Sequence, residues 1–348
     1  MRLTFFRAFV LGLLVASLAV PAGELRAYAQ QQQEKKQEPQ GEYSIAIEVP
    51  LVNVDVVVTD NNGNFIPGLK KENFRVLEDG APQTITNFAP TEAPITIVLL
   101  AEFSRLWFQI IAYNSTTWAY EFLRQLNKDD WAALVTFDLK TRIETDFTQD
   151  KMEVQNALRR MYFPGFSEAN LFDAVTETLD RLQDVKGKKS ILLLASGFDT
   201  FSKHTLDQTL KRLRQTDVTI FSVGGGKELF DYLDAHGYVR AEQRIAYYQA
   251  ENQLNTFARM TGGKAWFPRF QGELPGILRE VAAMLRNQYS LGYTPANKSR
   301  DGKFRKIKVE LVGSDGSPLV VVDQRGKKVK YVVYAREGYI APKSGVAD

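Results

Sequence analysis

Val52, Val54, Val56 and Val58 repeat a period of two, as a strand with one buried face requires, and Ile45, Ile47 and Val49 precede them in the same rhythm. Turn residues at Asp60–Asn64, Pro67-Gly68 and Asp79-Gly80 set off a further strand around Phe74-Arg75-Val76. Residues 43–90 therefore read as part of a small β-sandwich. The Asp60–Asn64 run is acidic and Asn-rich, but it lacks the Glu twelve positions from its start that a calcium loop uses, so it reads as a hairpin turn.

A different rhythm begins at Ile95. Ile95–Leu100 is continuously apolar, the pattern of a strand covered on both faces of a parallel sheet. Apolar residues at helical spacing follow at 105–127, then a strand at Trp131–Phe137 and a short edge hairpin at 141–147. Helices are predicted at 151–161, 170–183, 204–213, 247–260 and 272–286, with strands at 190–195, 218–223 and 264–267 between them. This alternation predicts a doubly wound, mostly parallel α/β sheet over residues 91–289, with right-handed crossovers. The period of two returns at 289–293, 306–312, 319–322 and 329–334, with turns at Asp301-Gly302, Asp315-Gly316 and Arg325-Gly326. Each β-rich flank has few strands alone, so 43–90 and 290–341 are expected to share one sandwich, with 342–348 a tail.

The first residues change the compartment. Arg2 and Arg7 open the chain, residues 8–23 carry no charge, and Ala27-Tyr28-Ala29 supplies the small-x-small pattern of a cleavage site. Residues 1–29 read as a cleaved signal peptide, because the uncharged run is shorter than the roughly 20 residues that span a bilayer. Residues 30–42 contain no apolar side chain and read as a disordered linker. The product is expected to be secreted or periplasmic, with no membrane span.

Composition narrows the chemistry. The chain has no Cys and two His, which excludes a Cys/His zinc site, a disulfide framework and a thiol nucleophile. Lys and Arg number 44 against 41 Asp and Glu, so no nucleic-acid partner is expected. Gly187-Lys188-Lys189-Ser190 precedes a strand and Gly224-Gly225-Gly226 lacks the further Gly of a dinucleotide fingerprint; both read as turns. There is no Gly-x-Ser-x-Gly elbow, and His204 and His236 lie in polar stretches that read as surface.

In a doubly wound sheet the ligand site lies beyond the carboxyl ends of the strands. The relevant loops read Glu102-Phe103-Ser104-Arg105 and Ser196-Gly197-Phe198-Asp199-Thr200. Together with Asn170-Leu171-Phe172-Asp173-Ala174, the segment Val56–Gln83 and the run from Tyr289 to Pro295, they carry a resemblance. The chain resembles a von Willebrand factor type A domain, and more closely the secreted group related to it that is described mainly from Acidobacteria. That family's metal-ion-dependent adhesion site has Asp-x-Ser-x-Ser after the first strand, a Thr before the Leu-x-Asp-Ala helix and an Asp after the fourth strand. By this resemblance Glu102 falls at the Asp, Ser104 at the first Ser, Leu106 at the second, Ala169 at the Thr and Ser196 at the last Asp.

The resemblance thus implies a degenerate metal site of Glu102, Ser104 and Ser196, with Ser167 and Asp199 as substitutes. Magnesium demands six well-placed oxygens, so no cofactor, or at most weakly bound Mg2+, is expected. Recognition would then rest on a ligand face including Arg105 and Trp107. The leading reading is a non-catalytic module binding a protein or cell-surface ligand. A structural or assembly subunit of an envelope complex is the alternative. A hydrolase using Glu102 and Asp199 is the third, and it requires the two loops to meet.

Overall fold

The valine alternation folds as β1 (Val52–Asp60), followed by β2 (Phe74–Glu78), β3 (Ala81–Gln83) and β4 (Ile85–Pro90). The computed structural model describes residues 51–90, 94–105, 115–161, 163–322 and 326–343, which belong to one unit, Val49–Asp348. The expected leader, linker and the strand around Ile45–Val49 lie outside the described residues, as do Leu106 and Trp107.

The apolar run becomes β5 (Ile95–Glu102). After it come α1 (Ser115–Leu123), β6 (Trp131–Phe137), β7 (Thr141–Thr148), α2 (Lys151–Arg160), α3 (Leu171–Arg181) and β8 (Lys188–Ala195). Then follow α4 (Leu206–Gln215), β9 (Thr219–Gly224), α5 (Lys227–Ala235), α6 (Ala241–Thr261), β10 (Ala265–Trp266) and α7 (Leu274–Arg286). The six strands form one sheet in the order β10-β9-β8-β5-β6-β7, parallel except for the edge strand β7. Ile95, Ile97 and Leu99 pack on one face with Phe122, Val154 and Val281, while Val98 and Leu100 pack on the other with Leu171, Leu213 and Leu254. From Ile97 to Leu100 the strand is continuously apolar because helices cover both its faces. No helix of the described residues is long and apolar enough to cross a membrane.

The chain closes with β11 (Tyr289–Tyr293), β12 (Phe304–Leu311), β13 (Val321–Val322), β14 (Lys328–Val329), β15 (Tyr331–Ala335) and β16 (Gly338–Ile340). Strands from the two ends interleave in two four-stranded sheets, β15-β1-β11-β4 and β16-β12-β2-β3. Their inner faces meet through Val54, Val56, Phe74, Val76, Leu291, Tyr293 and Ile307. Strand β1 is buried on both sides in its second half. Val56 and Val58 point into the sandwich core, and Val57 joins Ile277, Leu278 and Val281 in the core of the α/β sheet. The two cores thus share a wall.

The seam is also tight at the end of α6. Gly262 ends that helix with φ +85°, and a Cβ there would lie 2.7 Å from the Arg336 amide nitrogen. Only glycine combines this left-handed backbone with so close an approach. Glu337 N donates to Met260 O at 3.2 Å next to it.

Two helical boundaries differ from the pattern-based expectation. Residues 227–235 form α5, although none of its side chains is buried, and α6 starts at Ala241 instead of 247. Phe230 stacks on Tyr247 at 3.7 Å between ring centroids, and Arg244 pairs with Asp234, so the two helices support each other outside the main core. A helix resting on another helix needs only a few contacts on one side, which blurs its periodicity.

Candidate functional site

Strand order reverses between β5 and β8: the chain leaves β5 for β6 on one side and later returns to β8 on the other. In a doubly wound sheet this reversal, where the chain leaves two neighbouring strands for opposite sides, is where the ligand site is expected. Glu102, the last residue of β5, is 3% exposed. Its Oε1 accepts from Ser104 Oγ at 2.5 Å, and its Oε2 accepts from both Ser196 N and Ser196 Oγ at 2.7 Å. Three of the residues assigned to the site by sequence are therefore brought together, joined to one another by hydrogen bonds. Burial pushes the Glu102 carboxyl above its ordinary value, and the bonds from Ser104 and Ser196 offset part of that rise.

The other assigned residues are placed differently. Asp199 Oδ1 accepts from Phe172 N at 3.0 Å and from Ser202 Oγ at 2.5 Å, so it serves the open amides at the start of α3. No hydrogen bond among the described residues links it to Glu102. Ser167 is exposed, and its amide donates to the Glu168 carboxylate at 3.0 Å. Arg105 is exposed at the mouth, its amide donating to Phe166 O at 2.8 Å and its Nη2 to Gly165 O at 3.2 Å. Trp107, the other residue of the expected ligand face, lies outside the described residues.

The loops around Glu102 are held by residues to which pattern reading assigned no role. Asn170 N donates to Asp138 O at 2.7 Å and Asn170 Nδ2 to Leu139 O at 3.1 Å, while Asn170 Oδ1 accepts from Phe201 N at 3.1 Å. One side chain thereby ties the loop after β6 to the loop after β8. Asp173, the acid of the Leu-Phe-Asp-Ala stretch, accepts from Lys203 N and His204 N, each at 2.9 Å, and contacts His204 Nδ1 at 2.7 Å. Burial opposes ionisation of Asp173, but these bonds outweigh it and hold the carboxyl below its usual range. His204, whose side chain stays 40% exposed, is thus a loop anchor at the surface expected from its polar neighbours. Gly197 has φ +86°, and a Cβ there would meet Ala250 O at 2.5 Å, so the turn after Ser196 also requires glycine.

Aromatic side chains stand exposed near these loops: Phe163 at 83% and Phe166 at 45% on the segment between α2 and α3, and Phe201 at 67% on the loop after β8. Their signal in the sequence is an aromatic residue inside a turn-rich segment with neither helical nor strand periodicity. Farther along the carboxyl edge, a cavity of about 380 Å³ beyond β9 is lined by Gly224–Gly226, Leu229, Tyr232 and Phe270.

No curated protein matches the chain in sequence. Among solved structures, proximal thread matrix protein 1 of the mussel byssus is 13% identical, with a TM-score of 0.42; the match covers 57% of this chain and 50% of that one. This chain therefore spans half the length of that relative. The von Willebrand factor domain of the type V pili tip protein Mfa5 from Porphyromonas gingivalis is 10% identical, with a TM-score of 0.41, over 56% of this chain and 96% of that one. BatB from Bacteroides thetaiotaomicron is 12% identical, with a TM-score of 0.40, over 56% and 100% of the two chains. A family model matches residues 111–258, from the segment before α1 to near the end of α6, and leaves out β5 with Glu102 and Ser104. Over residues 111–258 the chain matches the family model of the von Willebrand factor type A domain.

Proposed function

We propose that the chain is an exported, non-catalytic module that recognises a protein or cell-surface ligand through the loops after β5 and β8 and the segment between α2 and α3, without a bridging cation. The observation that carries this reading is the exposure of Phe163, Phe166 and Phe201 around a Glu102 whose oxygens are already occupied. Exposed aromatics grouped on loops over a rigid sheet are the usual material of a partner surface. The leader pattern of residues 1–29 supports export.

The donor set does not fit a divalent cation. Glu102 is its one carboxylate, and the hydroxyls of Ser104 and Ser196 donate to that group. Ala169 offers no side-chain oxygen, and Asp199 is engaged at the start of α3. Magnesium would need these oxygens to turn away from Glu102 and several more to join them. A hydrolase built on Glu102 and Asp199 finds no support, because the two carboxylates serve separate hydrogen-bond sets.

The test is capture from an envelope extract by the immobilised chain and by the triple variant Phe163→Ser, Phe166→Ser, Phe201→Ser, each with and without EDTA. The expected result is a defined partner lost with the triple variant at unchanged thermal stability and indifferent to EDTA. Retention by the variant, or loss in EDTA, overturns the reading.

A further inference from the structure

Between β12 and β15 the chain makes a two-stranded ribbon, β13 with β14, that pairs with neither four-stranded sheet. Val321 stands opposite Val329 and Val322 opposite Lys328. Because side chains alternate along a strand, this register sorts the ribbon into two faces. Val321 and Val329 are half-buried and continue the line of Leu319 and Tyr331, which pack on the sandwich core. The opposite face carries Val322 and Lys328 and, one step on in the same register, Val320 and Lys330. All four are exposed, Val320 at 58% and Val322 at 55%.

Lys328 and Lys330 enter no ion pair among the described residues. Residues 318–332 contain Lys327, Lys328, Lys330 and Arg325 against Asp323, an excess of +3 equal to the formal net charge of the whole chain. The mixed-sign composition of the protein hides this local excess. Lysines on a strand edge commonly keep it from pairing with other chains, but exposed valines between them work against that purpose. A soluble polyanion would satisfy the lysines and leave the valines in water. The surface of an anionic bilayer satisfies both, with phosphates for the ammonium groups and the acyl boundary for the isopropyl groups.

We propose that the outer face of this ribbon rests on an anionic membrane surface, with Lys328 and Lys330 on lipid phosphates and Val320 and Val322 at the acyl boundary. The ribbon belongs to the sandwich and not to the loops around Glu102, so the proposal stands independently of the partner surface described above.

The experiment is co-sedimentation of the chain cut after Ala29, which leaves the unit from Val49 intact, with vesicles of phosphatidylcholine alone or mixed with phosphatidylglycerol. Binding is expected only with phosphatidylglycerol and should weaken as salt is raised. Lys328→Glu with Lys330→Glu should reduce it at least about tenfold. Val320→Ser with Val322→Ser should also reduce it while the charge is kept, and thermal unfolding should show both variants folded. Equal binding to both vesicle types, or no effect of the charge reversal, overturns the proposal. So does a valine variant that binds like the parent, which would assign the lysines to a soluble polyanion.

Discussion

Replacing Glu102 separates two accounts of the site, because alanine and glutamine remove different things. Glu102→Ala takes the acceptor from Ser104 Oγ, Ser196 Oγ and Ser196 N. The hydroxyls can rotate toward other acceptors, but the buried Ser196 amide cannot, and an orphaned buried donor costs about 1–3 kcal/mol. Loss of a desolvated carboxyl offsets part of this, so the net expectation is a destabilisation of about 1–2 kcal/mol, or about 2–8 °C in Tm. Glu102→Gln keeps one oxygen for the Ser196 amide and hydroxyl, while its own amide donates to Ser104 Oγ. It should stay within about 1 kcal/mol of the parent near neutral pH.

Acidity gives the sharper reading. The Glu102 carboxyl is raised by burial, so the native chain holds its proton more tightly than the unfolded chain does. Its contribution is then fully present below the unfolded value and is lost as pH rises through the folded one. Thermal and urea unfolding from about pH 4 to about pH 9 should show Glu102→Gln level with the parent in acid and gaining on it as pH rises. A parent that instead gains on Glu102→Gln with rising pH would refute the reasoning. So would a Tm raised by millimolar Mg2+ or Mn2+ in the parent but not in Glu102→Ala, because a ligand stabilises only the state that binds it.

Other perturbations test the scaffold. Gly262→Ala places a Cβ 2.7 Å from Arg336 N on a backbone with φ +85°, so it should cost more than about 2 kcal/mol in urea unfolding, where an unstrained Gly→Ala change would stabilise. Asp130 is fully buried and accepts from Ile95 N at 3.1 Å, Asn127 N at 2.6 Å and the Arg286 guanidinium. Asp130→Ala should lose about 3–5 kcal/mol, and adding Arg286→Leu should recover part of that in a double-mutant cycle. Asp173, held below its usual range by the bonds from Lys203 and His204, contributes stability that is present above its unfolded value and lost as pH falls through the folded one. Asp173→Asn should therefore be less stable than the parent at neutral pH, with the gap closing in acid unfolding curves.

Much of this protein follows from local pattern. The alternation at Val52–Val56 and the unbroken run at Ile97–Leu100 state how many faces of each stretch are buried, because side-chain direction repeats every two residues whatever the partner. Topology pointed to the loops that hold Glu102, Ser104 and Ser196, and the resemblance to the von Willebrand factor type A domain grouped those three residues into one site before any coordinates. The use made of those residues was not legible. Whether Glu102 holds a cation or the Ser196 amide depends on the direction of one N–H at the end of the neighbouring strand, 94 residues away in sequence. Asn170 likewise joins two loops that no spacing rule connects. The α5 helix left no reading in the sequence, and the exposed face of the β13–β14 ribbon read as ordinary strand alternation, because periodicity shows that a face is apolar but not whether anything covers it. The pairing of β1 with both β11 and β15, and the entry of Val57 into the second core, were decided by closure of more than two hundred intervening residues. Local propensity carries no record of such contacts, since they form only after the entropy of that closure has been met by packing on both sides at once.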